Sequence, residues 1–364
     1  MRAGLAEAHI ALAAQLGRRW VQDNVAALLS HWANLCAHPR CLATTDDELF
    51  VRACAGTVLR TTFGLLLSEA GQATAARDLA MLVKRGVAEL GAASPTVAAC
   101  RSTLVVALTE LGHLIAELDG SAAAILPVCV EAATAASAHP AFGVRQAAAW
   151  VFRCLALSSG ISLHSLLTTL LGNVARASAD AHASAPPDVV ARFKVVNAEG
   201  YARISPGRLA ERCAGSRRFR LYRSPLQGAA AALAAALVCT PQRSIQVDLS
   251  VATRVLSVAM SFVTSPPPAA GAAGAGGSTA AGATADAAAA VGGDLDDDLT
   301  PAVARLEVGW GLLRAVALAA ADAAVVRPHV DAILAAMKPF FVSAKKVRHP
   351  RVGTPPSLAA PAEY

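Results

Sequence analysis

A spacing of 46 to 47 residues constrains this chain more than any other feature of its sequence. Val51, Val97 and Val144 stand at that interval, each near the expected start of a helix. Seven residues on come Val58, Leu104 and Val151, and eleven residues on come Thr62, Leu108 and Leu155. Offsets of that kind fall on one helical face. A period at the upper end of roughly 40–47 residues is that of HEAT and armadillo units, helix pairs that must stack to bury their apolar faces.

Composition agrees with helices. Apolar residues make up 55% of the 364 positions but aromatics only 4%. Alanine and leucine carry that fraction and β-branched residues are scarce, which favours close-packed helices over a sheet. The expected helices pair as 19–36 with 48–67, 72–90 with 95–118, and 121–137 with 141–158, followed by 162–178. Leu104, Leu108, Leu111, Ile115 and Leu118 form one stripe. After Pro140, Val144, Ala148, Val151 and Leu155 form another, with Ala147, Trp150, Cys154 and Leu157 beside it. A helix with two adjacent apolar faces needs neighbours on both sides, so Trp150 is expected to be buried between units. Arg145 is placed to bond carbonyls or acids of the next unit. Asp46 and Asp47 suit a helix N-terminus, and Ser94-Pro95 and Pro140 read as helix starts.

The fold expected is therefore all-α: a HEAT/armadillo-like α-solenoid of stacked antiparallel helix pairs, with disordered insertions. The array covers 1–181. Residues 182–223 are punctuated by Pro186-Pro187, Gly200, Pro206-Gly207 and Gly215 and read as an irregular basic insertion. A helical pair over 224–263 (225–239 and 243–263) continues the array. Residues 264–300 are a low-complexity linker, 301–343 a last pair (300–320 and 322–342, with Pro328 near the second start), and 344–364 a disordered basic tail.

The net charge of +6 does not imply nucleic acid. Residues 192–223 hold nine Lys/Arg and two Glu, and 338–351 hold five Lys/Arg and no acid, so the rest of the chain is acidic on balance. A nucleic-acid binder would line one face with cations and interleave aromatics. The eight cysteines fall mostly in apolar helical stretches and read as reduced intracellular thiols, since Glu7 and His9 interrupt the N-terminal run where a secretory signal needs an apolar core.

No constellation carries chemistry. His31, Cys36, His38 and Cys41 lack the two tight pairs of a zinc site and read as a helix end with buried thiols. Gly271 to Thr279 lacks the lysine and the preceding strand of a phosphate loop. Ser158-Ser159-Gly160 ends a helix without a strand-to-helix elbow, and His113 and His164 have no paired acid nearby. The sequence thus calls for no catalytic residue, cofactor, metal or small-molecule substrate.

The stretch His139-Pro140-Ala141-Phe142-Gly143-Val144-Arg145-Gln146-Ala147-Ala148-Ala149-Trp150-Val151-Phe152-Arg153-Cys154-Leu155-Ala156 resembles the HEAT repeat-containing protein 5 family, which includes the plant SWEETIE proteins. Pro140, Val144, Arg145, Ala148 and Trp150 form its repeat signature. Val106 to Leu114, Leu28 to Trp32, Arg60 to Gly64 and, after the linker, Glu307 to Leu313 resemble further blocks in the same order. Members of that family are very long, so the resemblance implies an N-terminal portion. It also implies a non-enzymatic scaffold in vesicle traffic, cytoplasmic and peripherally associated with trans-Golgi and endosomal vesicles. The expected partner is the trans-Golgi clathrin adaptor complex with its accessory proteins, and the basic segments would add weak attraction to anionic membrane. The alternatives are a generic HEAT scaffold of the nuclear-transport or phosphatase-regulatory type and a nucleic-acid binder acting through 192–223.

Overall fold

A computed structural model of the chain describes residues 2–90, 97–183, 217–239, 249–264, 300–319 and 326–335. Helices and turns account for them, and no strand occurs among the described residues. The elements are α1 (Arg2–Asp23), α2 (Val25–Ala37), α3 (Thr45–Leu59), α4 (Glu69–Ala88), α5 (Arg101–Leu118), α6 (Leu126–Ser137), α7 (Phe142–Leu157) and α8 (Leu163–Ala183). They continue as α9 (Arg217–Val238), α10 (Leu249–Thr264) and α11 (Thr300–Ala319). The residues expected to form linker and tail, and most of the basic insertion, lie outside the described residues.

Local chemistry sets several ends. The Thr44 hydroxyl accepts from the Asp47 amide at 3.0 Å, and Asp46, Asp47 and Glu48 place negative charge on the first turn of α3. Ser68 caps α4 in the same way through the Gly71 amide. Between these helices, Arg60–Leu65 widens into a π-turn. Gln72 donates to the Gly64 carbonyl there at 2.7 Å, satisfying an acceptor that the turn's geometry leaves over.

The helices pack in two rows. Each odd-numbered helix contacts the next odd-numbered one, from α1 through α3, α5, α7 and α9 to α11. Even-numbered helices lie against them: α4 on α5, α6 on α7, α8 on α9, α10 on α11. Contacts inside the odd row rise together in number: Glu48 meets Arg101 and Arg60 meets Glu110, while Val105 meets Gly143 and Gly112 meets Trp150. Helices α3, α5 and α7 therefore run parallel. This order of packing is compatible with a helical solenoid.

The expected stripes form the core. Leu104, Leu108, Leu111 and Ile115 on α5, and Val144, Ala148, Val151 and Leu155 on α7, are fully buried. Val58 and Thr62 are buried on the α3 side in register with them. Val97 departs from the pattern. It lies exposed in a short 3-10 turn, because α5 starts only at Arg101. Ser94-Pro95 lies outside the described residues.

Other boundaries moved. The helix expected over 19–36 is two helices meeting at Asn24, and α1 extends back to Arg2 with a break at Gly17, where φ is +80°. Only glycine adopts that conformation without strain. Helix α9 starts at Arg217, inside the segment expected to be irregular, with Pro225 in its interior. Proline lacks the N–H of a helix interior and so mimics a start, but the turns before it remain helical. Pro140 precedes the first residue of α7 by two positions and does not open it. Pro328 sits, as expected, near a helix start, in the 3-10 turn Arg327–His329 that leads into helical residues 330–335.

Helix α9 comes close to the end of α6 at Gly228, where a Cβ would lie 1.6 Å from the Ser137 carbonyl oxygen. Gly228→Ala should cost about 1–3 kcal/mol as α9 is forced off α6. Thermal unfolding of the variant is the check, and an unchanged midpoint would show that α9 does not sit there.

Candidate functional site

The resemblance signature folds into a corner between helices. His139 is buried, and its Nδ1 accepts from the Ala141 amide at 3.0 Å. Arg145, one turn into α7, turns back on that corner. Its Nη1 donates to the carbonyls of His139 at 2.9 Å and Pro140 at 2.7 Å. Its Nη2 reaches Gln227 Oε1 on α9 at 3.4 Å, and Gln227 Nε2 donates to Glu307 Oε2 on α11 at 2.6 Å. Val144 and Ala148 are fully buried behind it, while Pro140 is exposed. Arg145 thus bonds carbonyls of its own corner and an amide of the next odd-row helix. A buried guanidinium so used is a joint, not a reactive group.

Trp150 meets the expectation of burial between units in part. Its indole rests over Gly112 of α5, where a Cβ would lie 2.5 Å from Nε1, so it does lie between successive helices of the row. It remains half-buried. The His113 ring is centred 5.3 Å away and the Arg153 guanidinium lies 6.0 Å from the indole centre. The indole Nε1 is itself enclosed against α5 and makes no hydrogen bond.

The same row carries ion pairs that periodicity does not reveal. Glu48 on α3 is buried and accepts from Arg101 of α5 through both carboxylate oxygens, with Arg52 at 3.6 Å. Glu110 of α5, also buried, accepts from Arg60 Nη2 at 2.8 Å and Nε at 3.2 Å. Burial pushes the Glu110 carboxyl above its ordinary range, against the pull of Arg60. Glu110 carries a sequence signal, an acid inside an apolar helical stretch, whereas Glu48 is hidden among the acids of the first turn of α3.

Among the described residues the histidines and cysteines do not assemble into a reactive set. His31 packs against His9 and Trp32, and His38 accepts the Arg40 amide at 3.2 Å to cap the turn at Pro39–Cys41. Cys36 is buried beside Cys100, whose thiol points at the Cys36 carbonyl at 3.8 Å. Burial pushes the Cys36, Cys129 and Cys154 thiols up to about 12, which suits packing rather than nucleophilic attack. No group of three or more His, Cys, Asp and Glu that could hold a metal ion occurs among the described residues. Ser158 donates to the Asp119 carbonyl at 3.0 Å and the Ser159 amide to Asp119 Oδ1 at 2.6 Å, so that serine pair ties two loops together. Gly271 to Thr279 lies outside the described residues, as does the basic segment up to 216. No helix among the described residues is long and apolar enough to cross a membrane.

No protein-family model matches the chain, and no solved structure matches it.

Two outcomes follow. Trp150→Ala should cost about 2–3 kcal/mol, below the 3–5 kcal/mol of a fully enclosed indole, and chemical denaturation of the variant measures it. Burial first, then His31, Arg60 and Arg145 respectively, hold His9, His113 and His139 below the ordinary histidine range. The unfolded chain takes up protons at about pH 6.5 that the folded chain refuses. Their contribution is complete above that pH and is lost as pH falls through it, whereas Glu110, with its carboxyl raised, acts in the opposite sense at lower pH. The unfolding midpoint should drop between about pH 7.5 and 5.5 and drop less in His139→Asn; a flat profile would contradict the burial of these rings.

Proposed function

We propose that this chain is a HEAT/armadillo-like α-solenoid of stacked antiparallel helix pairs that acts as a non-enzymatic scaffold in intracellular vesicle traffic. The observation that carries this reading is the odd row itself. Glu48–Arg101 and Arg60–Glu110 pin α5 against α3, and Arg145–Gln227–Glu307 ties α7, α9 and α11 together, so these charged and polar side chains hold helices in place. Stacked pairs make extended surfaces, and such surfaces bind proteins.

The resemblance supports the cellular setting. Its longest block is the α7 corner, and its Gly-Trp block lies in α11; Gln227 joins Arg145 of the first to Glu307 of the second. Two blocks far apart in sequence thus belong to one joint. On this reading the partner is a protein of the trans-Golgi clathrin adaptor machinery, and the chain is cytoplasmic and peripheral to trans-Golgi and endosomal vesicles. It needs no cofactor, small-molecule substrate or nucleic acid. The basic segments add attraction to anionic membrane that salt screens.

Proximity labelling in cells from the full-length protein tests this. Adaptor subunits and Golgi or endosomal proteins are the expected labels. A pattern confined to nuclear or ribosomal proteins would rule the reading out.

A further inference from the structure

A pair of histidines joins α1 to α2. The ring centres of His9 and His31 are 5.2 Å apart, and both rings stand edge-on to Trp32, at 5.4 and 5.8 Å. Trp32 is buried, His9 half-buried and His31 exposed. The Nδ1 atom of His9 is shut off from water and makes no hydrogen bond. A neutral ring leaves one polar atom unfilled there. An imidazolium donates from both nitrogens, so a proton at Nδ1 would leave a charged donor buried without an acceptor.

No acid nearby balances such a charge among the described residues. The ionisable groups of α2 are His31 and Cys36. On α3, Glu48 faces Arg101 and Arg52, Asp47 accepts from the Thr44 hydroxyl, and Asp46 is exposed. Arg60 in the following turn faces Glu110. On α1 itself, Glu7 is exposed and stands two residues before His9, on the other side of the helix. Arg18, Arg19 and Asp23 lie beyond the break at Gly17. The charge that does reach His9 is that of His31, which has the same sign.

Helix α1 is also lightly held. It rests on α3 and the turn after it, with the small side chains of Ala6 and Ala13 buried. No hydrogen bond or ion pair ties residues 4–16 to another helix among the described residues. Gly17, at φ +80°, breaks the helix after Leu16, and a Cβ there would meet nothing within 4 Å, so the backbone has room to turn. Beyond the break Val21 is fully buried and anchors the last turn.

We infer that His9 and His31 form an acid-operated latch: as pH falls, residues 2–16 swing away from α2 and α3 about Gly17 while the rest of the row stays folded. Burial, and then His31, hold His9 below the ordinary histidine range. The released helix therefore takes up a proton at about pH 6.5 that the docked helix refuses. Docking is fully favoured above that pH and weakens as pH falls through it, by up to about tenfold for each unit. A proton on the exposed His31 adds to the effect, because two imidazolium rings 5.2 Å apart repel. Release uncovers the end of the odd row at α3 and frees a helix that carries Leu5, Leu12 and Leu16.

Hydrogen exchange of the whole chain tests the latch, read by mass spectrometry and converted to protection factors with the intrinsic rate at each pH. Between pH 7.5 and 5.5, protection over 2–16 should fall about tenfold, while α5 and α7 at pH 5.5 remain protected far above it. His9→Phe keeps an aromatic ring against Trp32 and cannot titrate, so its α1 should show no fall. His31→Asn, at an exposed position that folding tolerates, should show a smaller fall of about threefold. Unchanged protection over 2–16 would overturn the latch. So would equal protection of α1, α5 and α7 at pH 5.5, which would mean that the chain opens as a whole, or the full fall in either variant.

Discussion

A helix that is apolar around most of its circumference is stable in water only with neighbours on more than one side, and α5 is such a helix. Leu104, Leu108, Leu111 and Ile115 are fully buried, and Val106, Leu114 and Leu118 nearly so. It meets α3 and α7 in its own row and α4 in the other. Fully burying one such side chain is worth about 1.5–3 kcal/mol, so α5 needs all three neighbours. The same holds for α7, and the two-row packing follows from it. Helix α1 contacts the odd row at α3 and the turn after it, and Leu5, Leu12 and Leu16 stand exposed on it.

Apolar stripes alone do not fix how far one helix slides along the next, because hydrophobic attraction is not directional. The polar contacts supply that register. A buried carboxylate is costly without its partner, so Glu48 and Glu110 tolerate α5 in one position against α3. Arg145 does the same between α7 and α9. Glycines complete the fit: Gly112 admits the Trp150 indole and Gly228 admits the end of α6, each at a distance that any side chain would close.

Much of this could be read in the sequence. Helix identity, the stripes on α5 and α7 and the all-helical class followed from periodicity, whereas Arg145, expected to reach carbonyls or acids of the next unit, bonds the carbonyls of its own corner and meets the next unit only at the Gln227 amide. What escaped has physical causes. Val97 fits the spacing but lies before its helix, since a period counts residues and not helix starts. Alanine-rich α1 offers weak contrast between faces, and Pro225 hid the beginning of α9. The partial burial of Trp150 and the pairing of Glu48 with Arg101 depend on how neighbouring helices are offset, and one helix's pattern carries no such information.

Double-mutant cycles on α3 and α5 test the parallel, pinned row most directly. Equilibrium unfolding would be measured for single and paired substitutions of Glu48, Arg60, Arg101 and Glu110 to neutral residues. The account predicts coupling of about 0.5 kcal/mol or more for Glu48 with Arg101 and for Arg60 with Glu110, and near zero for Arg60 with Arg101 and Glu48 with Glu110. Coupling in the crossed combinations, or in none, would contradict it.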